Sequence, residues 1–276
     1  MKSKLSNKLI KDFGDEWYRF DQSNLDKKEL ELLFNIYFSI FPKDTLNKKN
    51  VGIDIGGGSG RWTKCLINKV NHIFFVEPSA KAINVAKKNL NNFNNVTFLN
   101  QSVFDMKIKN NFADFAFSLG VLHHVEDTLQ ALKNINLKLK KNAPFLIYLY
   151  YNFENRSLAF KILWRVSDFL RLFVSNMPKH IKLFICDSIA VLMYFPLTKF
   201  YRFLRYFKIS IDNFPLSYYT DLSFYTLRTD SLDRFGTKFE KRFSKKQIEI
   251  LLNAAGFNNI KFSDKEPFWC VLSNKK

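Results

Sequence analysis

The stretch VGIDIGGGSGRWTKCL, residues 51–66, decides the fold class of this chain. An apolar run that contains Asp54 leads into four glycines between Gly56 and Gly60, and a segment compatible with a helix follows. In α/β sheets, a strand, a glycine turn and a helix start form a corner that binds anions and nucleotides. Glycine lets the backbone approach such a ligand closely. The stretch therefore predicts a parallel-sheet domain with a ligand at the end of its first strand.

The spacing of the glycines excludes two common phosphate-binding loops. The dinucleotide pattern G-x-G-x-x-G would need its last glycine where Arg61 or Thr63 stands. A Walker A loop would need Lys-Ser or Lys-Thr after the glycines, and the sequence has neither there. The pattern is instead D-x-G-x-G-x-G, beginning at Asp54. A carboxylate in this place disfavours a pyrophosphate and suits a ligand with a cationic or amine group.

Strand and helix patterns alternate along the chain after residue 50. Short apolar strands are predicted at 50–55, 72–77, 95–100, 113–119 and 143–151, and helices at 60–69, 79–90 and 126–140. Nearer the end, Ser244 caps a further helix that stops at Gly256, and two strands joined through Pro267 predict an antiparallel hairpin. Such alternation predicts an α/β fold with a largely parallel sheet and helices on both of its faces.

The net charge indicates what kind of partner the protein binds, and the cysteines indicate its redox compartment. The 276-residue chain carries a net charge of +18, which predicts an anionic partner without choosing among nucleic acid, a phosphorylated substrate and an acidic membrane. Its three cysteines, Cys65, Cys186 and Cys270, are far apart and odd in number. They favour a reducing cytoplasm over a disulfide framework.

Neither the N-terminus nor the most apolar later segment predicts insertion into a membrane. The N-terminus has no apolar stretch long enough for a signal peptide. The most apolar later segment, 181–197, is interrupted by Asp187 and Pro196 and falls short of a span of roughly 20 residues. We therefore expect a cytoplasmic protein.

The sequence resembles the class I S-adenosylmethionine-dependent methyltransferases of the bacterial small-molecule type. The glycine stretch is similar to the first motif of this family, and Glu77 ends the second strand, where the family has an acid that holds both ribose hydroxyls. Residues 100–105 occupy the place of the segment that contacts adenine, and 117–127 resemble the fourth-strand motif. The resemblance implies a Rossmann-like seven-stranded sheet, mostly parallel with an antiparallel C-terminal hairpin, and a helical insertion after the fifth strand.

The same resemblance implies a division of the chain into three parts. The parts are an N-terminal helical segment over the cofactor site at 1–49, the methyltransferase core at 50–151 and 242–276, and a helical insertion that caps the acceptor at 152–241. In the N-terminal part, the helix that holds Trp17 closes over the cofactor together with Phe13 and Phe20, or it docks on the outside of the sheet.

The cofactor implied by the resemblance is S-adenosyl-L-methionine. Glu77 would accept hydrogen bonds from the ribose, and Asp54 would hold the glycine loop or meet the amino group through water. Many members of the family have an acid where Val103 stands, so Asp105 is the alternative partner of the adenine. The implied cofactor-binding residues are Asp54, Gly56, Gly58, Gly60, Glu77, Val103, Asp105 and Leu119.

Two histidines, His123 and His124, follow the fourth strand and are the candidate catalytic residues. An imidazole is poised to accept a proton near pH 7, so either one is a candidate general base. Because the family has this pair in members of differing chemistry, a positional or packing role is the alternative. No metal-ligand spacing accompanies the pair in the sequence, and no metal is expected.

The insertion 152–241 leaves the sheet after the fifth strand, above the carboxyl ends where ligands bind. Its surroundings hold the candidate substrate-binding residues Tyr225, Arg234 and Arg242. An arginine pair can clamp a phosphate or a carboxylate. The alternative is that Asp233 pairs with an arginine and shapes the loop.

Residues 198–208 predict an amphipathic helix within the insertion. Basic residues recur at every third position from Lys199 to Lys208, and an aromatic side runs from Phe200 to Phe207. One interpretation is a helix that packs its aromatic side on the core and solvates its charges. The other is a cap or interfacial helix that touches an anionic lipid surface or a lipid-linked substrate.

We therefore predict a methyltransferase that methylates an O or N atom of a small-molecule acceptor, such as a sugar or a lipid-linked intermediate. The acceptor is expected to be anionic or lipid-linked, and peripheral contact with the inner membrane surface is an open alternative to a purely cytoplasmic location. An RNA methyltransferase is supported by charge alone, so nucleic acid is disfavoured as a partner. A non-catalytic, cofactor-binding partner subunit is the remaining alternative.

Overall fold

Seven strands form a mixed sheet in the computed structural model, which describes residues 7–211 and 214–276. They are β1 (Val51–Ile55), β2 (His72–Val76), β3 (Val96–Leu99), β4 (Phe115–Leu119), β5 (Pro144–Tyr148), β6 (Phe257–Phe262) and β7 (Cys270–Lys275). Their order is β3-β2-β1-β4-β5-β7-β6. β1 to β5 pair in parallel, whereas β7 lies antiparallel between β5 and β6. This topology confirms the predicted Rossmann-like α/β fold with an antiparallel C-terminal hairpin.

Most of the core helices begin at caps that the sequence supplies. Ser79 accepts a hydrogen bond from the Ala82 amide, and Asp127 accepts one from the Gln130 amide. The helices are α1 (Asn7–Arg19), α2 (Lys27–Tyr37), α3 (Arg61–Leu66), α4 (Ala80–Asn89), α5 (Thr128–Lys138), α6 (Leu158–Val174), α7 (Lys179–Ile189), α8 (Phe195–Tyr206), α9 (Phe224–Gly236) and α10 (Lys245–Ala254).

Helices cover both faces of the sheet. Val76 of β2 belongs to a core that includes Leu132 of α5 and Ile248 of α10. Its neighbour Phe75 packs instead with Ile83 of α4. Because successive side chains of a strand point to opposite faces, these two cores lie on opposite sides of the sheet. The sheet is thus buried on both sides, as its continuous apolar strands predict.

The chain divides into two compact units. Unit 1 comprises the residues up to Ser23, Leu30–Asn152 and Lys241–Lys276, and it contains the whole sheet. Unit 2 comprises Asn24–Glu29 and Phe153–Glu240, and its main elements are α6 to α9. The N-terminal piece of unit 2 is tied to the rest of that unit by Glu29, which accepts a hydrogen bond from the Thr226 hydroxyl at 2.6 Å.

Two predicted elements end three residues earlier than expected, whereas the others end within two residues of the prediction. The helix predicted at 60–69 is α-helical only to Leu66, and a short 3₁₀ turn follows. The strand predicted at 143–151 ends at Tyr148, where its pairing with Cys270 of β7 also ends. The apolar pattern continues beyond the point where the neighbouring strand supplies hydrogen-bond partners, so the pattern alone overestimates the length of this strand.

The long apolar segment of unit 2 is one continuous helix, Lys179–Tyr206. A π-helical turn at Ala190–Tyr194 joins α7 to α8, and Pro196 lies just after it at the start of α8. A proline lacks an N–H and clashes with the preceding helical turn, and the wider π turn relieves this conflict. Asp187 is accommodated by an ion pair with Arg228 at 3.0 Å.

The prediction that Asp187 and Pro196 interrupt this segment was therefore wrong. Within residues 7–211 and 214–276, Lys179–Tyr206 is the one helix long and apolar enough to cross a membrane, judged by length and composition. Core helices of proteins that never meet a membrane also pass this test.

The N-terminus of α10 offers a direct test of how local signals stabilise unit 1. Ser244 and Gln247 form a reciprocal capping box, with each side chain bonded to the backbone of the other. We expect Ser244→Ala to lower the free energy of unfolding by about 1 kcal/mol, because a helix-terminal N–H loses its partner. Chemical denaturation followed by circular dichroism measures this change. Ser244→Asp should retain the stability, as should the control Lys246→Ala, and equal stability of Ser244→Ala would contradict the capping role.

Candidate functional site

The glycine loop after β1 adopts a backbone that glycine favours. Gly58 has a φ of +56°, in the left-handed region that other residues rarely adopt. A Cβ at this position would lie 2.7 Å from the indole of Trp17. Two features thus require glycine here, the backbone conformation and the close approach of another side chain. Gly56 and Gly60 also have positive φ values.

Glu77 directly follows β2 and is bonded to the glycine loop. Its Oε2 accepts a hydrogen bond from the Gly58 amide at 3.2 Å, and its Oε1 accepts one from the Ser79 amide at 2.9 Å. Burial raises the pKa of Glu77 to about 7, although both amide bonds act in the opposite direction. Each carboxylate oxygen keeps a lone pair that can accept a further hydrogen bond.

Asp54 lies in β1, beside the same loop, and is also buried. The Thr63 hydroxyl, in the first turn of α3, donates to its Oδ2 at 2.6 Å. Burial raises the pKa of Asp54 to about 7, opposed by the Thr63 hydrogen bond and reinforced by the charge of Glu77. Burial at the carboxyl edge of the sheet therefore imposes an energetic penalty on the charged forms of both Asp54 and Glu77. A cationic ligand at this edge would reduce that penalty.

Two further polar groups lie near the ends of these strands. The Ser59 hydroxyl in the glycine loop is buried and has no hydrogen-bond partner within the part of the chain that the structure describes. The Ser118 hydroxyl donates to the carbonyl of Ile55 at 3.1 Å and so links β4 to the end of β1. Leu119, half-buried, ends β4 next to this bond. The sheet order reverses between β1 and β4, and ligands of such sheets bind at this kind of switch point.

The two candidate partners of an adenine ring differ in their surroundings. The Val103 side chain is buried in the core that α5 and α10 share, and its carbonyl accepts a hydrogen bond from Asn134 at 3.2 Å. Asp105 is exposed, and its carboxylate accepts the amide of Ser102 at 2.7 Å. The Asp105 carboxylate thus already serves the turn in which it lies.

Helix α1 packs onto the glycine loop and the start of α4. The position of Gly14 brings α1 so close that a Cβ there would lie 2.3 Å from the Ser79 hydroxyl. Asp15 forms an ion pair with Lys81 at 2.5 Å. Trp17 lies against Gly58, and the Arg61 guanidinium lies 5.7 Å from the centre of the Trp17 ring. The helix is therefore held over the loop by packing and by charge.

The candidate catalytic histidines lie in an aromatic cluster of unit 1. His123 is fully buried and stacks on Tyr150 with 3.7 Å between ring centres. The Arg242 guanidinium lies 5.1 Å from the Tyr150 ring, and the His124 ring lies 4.8 Å from Phe13. Burial, reinforced by His124 and Arg242, holds the pKa of His123 well below its usual range.

His123 has a further property that concerns chemistry. Neither of its ring nitrogens has a hydrogen-bond partner among the residues that the structure describes. Buried polar atoms are nearly always hydrogen-bonded, so an orphaned pair of nitrogens indicates that a partner is still to come. A neutral imidazole offers one donor and one acceptor to that partner. Because its pKa is low, His123 is better suited to orient a reacting group than to remove its proton.

The predicted arginine pair is divided between the two units. Arg242 belongs to unit 1, where it donates to the Tyr151 carbonyl at 3.3 Å. Arg234 belongs to unit 2, where its guanidinium pairs with Glu240 at 3.1 Å and Asp168 at 3.4 Å. Both carboxylates contact Nη1 of Arg234, and the Ser167 hydroxyl accepts from its Nη2 at 3.0 Å. The phosphate clamp stays a prediction.

Tyr225, the third candidate substrate-binding residue, lies in α9 of unit 2, and its carbonyl accepts the Thr229 hydroxyl at 3.0 Å. The two carboxylates that pair with Arg234 are Asp168 and Glu240. Pairing of Asp233 with an arginine, the alternative interpretation, stays a prediction.

Sequence reasoning missed two contributors to this site. Thr63 supplies the hydroxyl that holds Asp54, and Tyr150 supplies the ring on which His123 stacks. The role of Thr63 could have been predicted from the sequence, because Thr63 is a polar residue on the buried side of α3. Tyr150 lies in a continuous apolar run, and nothing local distinguishes it from its neighbours. No group of three or more His, Cys, Asp or Glu that could hold a metal ion occurs in residues 7–211 and 214–276.

Residues 53–147 match the family model described as a methyltransferase domain. The matched range contains most of β1, the glycine loop, Glu77 and both candidate histidines. No curated protein sequence matches the chain.

Solved structures of methyltransferases share the fold. A S-adenosylmethionine-dependent methyltransferase from Thermotoga maritima is 15% identical over 95% of this chain and 93% of its own, with a TM-score of 0.51. Phosphoethanolamine N-methyltransferase 2 from Haemonchus contortus, solved with S-adenosylhomocysteine, is 15% identical over 86% of this chain and 39% of its own, with a TM-score of 0.50.

The YcgJ protein from Bacillus subtilis is 18% identical over 53% of this chain and 59% of its own, with a TM-score of 0.42. The chain thus spans less than two thirds of the Bacillus and Haemonchus proteins. At these identities the likenesses concern the fold. Residues 53–147 of this chain thus match a methyltransferase domain, and its sheet has the Rossmann-like topology of methyltransferases of known structure.

Proposed function

We propose that this methyltransferase transfers its methyl group to a hydroxyl or amine of a small anionic acceptor. The observation that carries the proposal is the buried imidazole of His123 beside Tyr150 and Arg242, whose ring nitrogens accept or donate no hydrogen bond among the residues that the structure describes. This cluster lies in the same unit as the glycine loop and Glu77. A group that can orient a hydroxyl or amine and a guanidinium that attracts an anion are thus within one rigid framework.

The residues of the loop fit the cofactor chemically. Glu77 has lone pairs left for the two ribose hydroxyls, in addition to the bonds from Gly58 and Ser79. Asp54 would hold the loop through Thr63 and attract the positively charged amino and sulfonium groups. The left-handed glycines give the loop a tight turn whose backbone could pass close to the methionine part. Val103 would contribute apolar contact to the adenine, whereas Asp105 is assigned to its own turn.

Helix α1 is proposed to cover the bound cofactor. Trp17 already lies against Gly58, and α1 is fastened by the pair of Asp15 and Lys81. Excluding water from this corner would protect the reactive sulfonium and strengthen the hydrogen bonds inside it. The contacts of Gly14 and Trp17 favour this arrangement over a helix docked on the outside of the sheet.

The reaction itself asks little covalent chemistry of the protein. The bound cofactor supplies an activated methyl group. The chain has to align the acceptor atom with that methyl group, and alignment alone can lower a barrier by about 7–11 kcal/mol. His123, kept neutral by burial, would hold the acceptor hydroxyl or amine through one hydrogen bond. Arg242 would attract an acidic group elsewhere on the acceptor, which agrees with the net charge of +18.

The ribose role of Glu77 is testable with an isosteric change. Glu77→Gln should weaken cofactor binding by about 1.5–3 kcal/mol, because the ribose hydroxyls lose a charged acceptor. Isothermal titration calorimetry at pH 8.5 would measure the difference between folded proteins. Asp105→Asn is the matched control and should bind as the wild type does. Equal affinities of Glu77→Gln and the wild type would remove the ribose role.

The raised pKa values predict a pH dependence with a definite sign. Between about pH 4 and pH 7, the folded protein holds protons on Asp54 and Glu77 that the unfolded chain has released, so its stability without cofactor should fall as pH rises through this window. The cationic cofactor favours the ionised acids, so its affinity should rise up to about pH 7 and then level.

Calorimetry in two buffers of different ionisation enthalpy would show the accompanying proton release below pH 7. Glu77→Gln should release fewer protons than the wild type. A cofactor affinity that does not change between pH 5 and pH 8 would show that neither acid faces the ligand.

The acceptor role of His123 requires a transfer assay. Wild-type protein with methyl-labelled cofactor should label small molecules in a cell extract, with or without nuclease treatment. His123→Asn should lower kcat/KM for the acceptor by about a hundredfold while cofactor affinity stays unchanged, because misaligned reactants react slowly. His72→Asn is the control, since His72 is bonded to Thr97 at the other end of the strand that leads to Glu77.

Two outcomes of this assay would contradict the proposal. Label confined to nuclease-sensitive material would identify an RNA methyltransferase. A protein that binds the cofactor normally but labels no fraction would be a cofactor-binding subunit of another assembly.

A further inference from the structure

Helix α6 of unit 2 has its polarity reversed relative to a helix in water. Phe169 is 77% exposed and Leu158 is 78% exposed, whereas Arg171 is 6% exposed. Exposed apolar residues recur at a helical spacing along one side, at Leu158, Ile162, Val166, Phe169 and Phe173. We call these five residues the α6 face.

The opposite side of α6 carries two charged residues, Asp168 and Arg171, toward the interior of unit 2. Arg171 donates to the Thr237 carbonyl at 2.9 Å and pairs with Asp168 at 2.7 Å. Asp168 also pairs with Arg234, which in turn contacts Glu240. A helix of a water-soluble domain normally buries its apolar side and solvates its charges. Here the chain has taken four charged groups into unit 2 and left large apolar side chains outside.

The long helix Lys179–Tyr206 also exposes an apolar side. Phe184, Leu192, Phe195, Phe203 and Tyr206 are all exposed, and their spacing places them along one side of the helix. We call these residues the long-helix face. The other side of the helix is covered within unit 2, where Cys186, Ala190 and Tyr201 are among its buried residues.

This finding contradicts one interpretation of residues 198–208. Phe200, Phe203 and Phe207 are exposed, so their aromatic side does not pack on the core. The basic residues also differ from that interpretation, in which water solvates their charges. Arg202 donates to the Thr220 carbonyl, and Arg205 forms a bidentate pair with Asp221. α8 also ends at Tyr206, before Lys208. The aromatic side, rather than a continuous basic stripe, is the available surface.

We propose that unit 2 docks on an anionic lipid membrane surface through the α6 face and the long-helix face. Exposed apolar patches of this extent mark interaction sites in proteins of known structure. Unit 2 carries fifteen Lys or Arg against ten Asp or Glu, and residues 152–210, which contain both faces, carry ten against three. This charge attracts an anionic lipid surface and repels a second copy of the same unit, which favours the lipid surface over a second copy.

Docking on the surface fits the long helix better than spanning. A membrane span needs an apolar surface around its circumference or partner helices within the bilayer. The long helix instead carries the ion pair of Asp187 with Arg228 on the side covered by unit 2. One open apolar side and one side packed on a protein are the features of a helix that lies in the interface.

Vesicle flotation of the full chain tests the proposal. Wild-type protein should bind vesicles of phosphatidylglycerol and phosphatidylcholine, bind vesicles of phosphatidylcholine alone at least about tenfold more weakly, and bind less at high salt. Two variants, Phe169→Gln with Phe173→Gln and Phe184→Gln with Leu192→Gln, should each reduce binding at least about tenfold, because the apolar insertion is lost. These side chains are exposed, so the changes should leave the fold and the cofactor affinity intact.

The matched control is Leu137→Gln with Ile250→Gln, two exposed apolar residues of unit 1 that should not affect binding. Absence of wild-type binding, or equal binding of both face variants and the wild type, would overturn the proposal. So would equal binding to neutral and anionic vesicles. A dimer in light scattering that the face variants dissociate, without vesicle binding, would assign the faces to a second copy. Protein that resists alkaline carbonate extraction from membranes would assign a span to Lys179–Tyr206 and contradict surface docking.

Discussion

The buried carboxylate of Glu77 is the interaction on which the site depends. Its two oxygens accept the amides of Gly58 and Ser79, so one side chain joins the loop after β1 to the start of α4. Removing it would leave two buried N–H groups without a partner, which is costly in the protein interior. The position of α1 depends on the same junction, because Gly14 packs on Ser79 and Trp17 packs on Gly58. The glycine loop, the N-terminal cap of α4 and helix α1 are thus all organised around Glu77.

This organisation has an electrostatic cost. Burial raises the pKa of both Glu77 and Asp54 to about 7, so the folded chain disfavours the charged forms that a cationic ligand would favour. Backbone amides and the Thr63 hydroxyl reduce that cost without removing it. Functional sites often keep such destabilising groups, since the rest of the fold supplies stability enough to hold them. Here the doubly covered sheet of unit 1 supplies it.

The two units distribute apolar and charged side chains differently between interior and surface. Unit 1 buries apolar residues against a sheet and keeps most charges outside, as a domain in water does. On α6, unit 2 buries Arg171, half-buries its partner Asp168 and exposes Phe169. A buried ion pair stabilises only when its geometry and its hydrogen bonds are good, and Arg171 gains such bonds from two backbone carbonyls. The exposed apolar side of α6 is the observation on which the proposed docking to a lipid surface rests.

The sequence by itself determined the sheet, its antiparallel hairpin and the position of Glu77 at the end of β2. Those features depend on local period, on caps and on glycine spacing, which are written into neighbouring residues. Only the tertiary structure decided which groups meet. It paired Arg205 with Asp221, gave Arg234 to Asp168 and Glu240, and carried one helix through Pro196. These outcomes could not be read from the sequence, because pairing between distant side chains depends on packing geometry that no local pattern encodes.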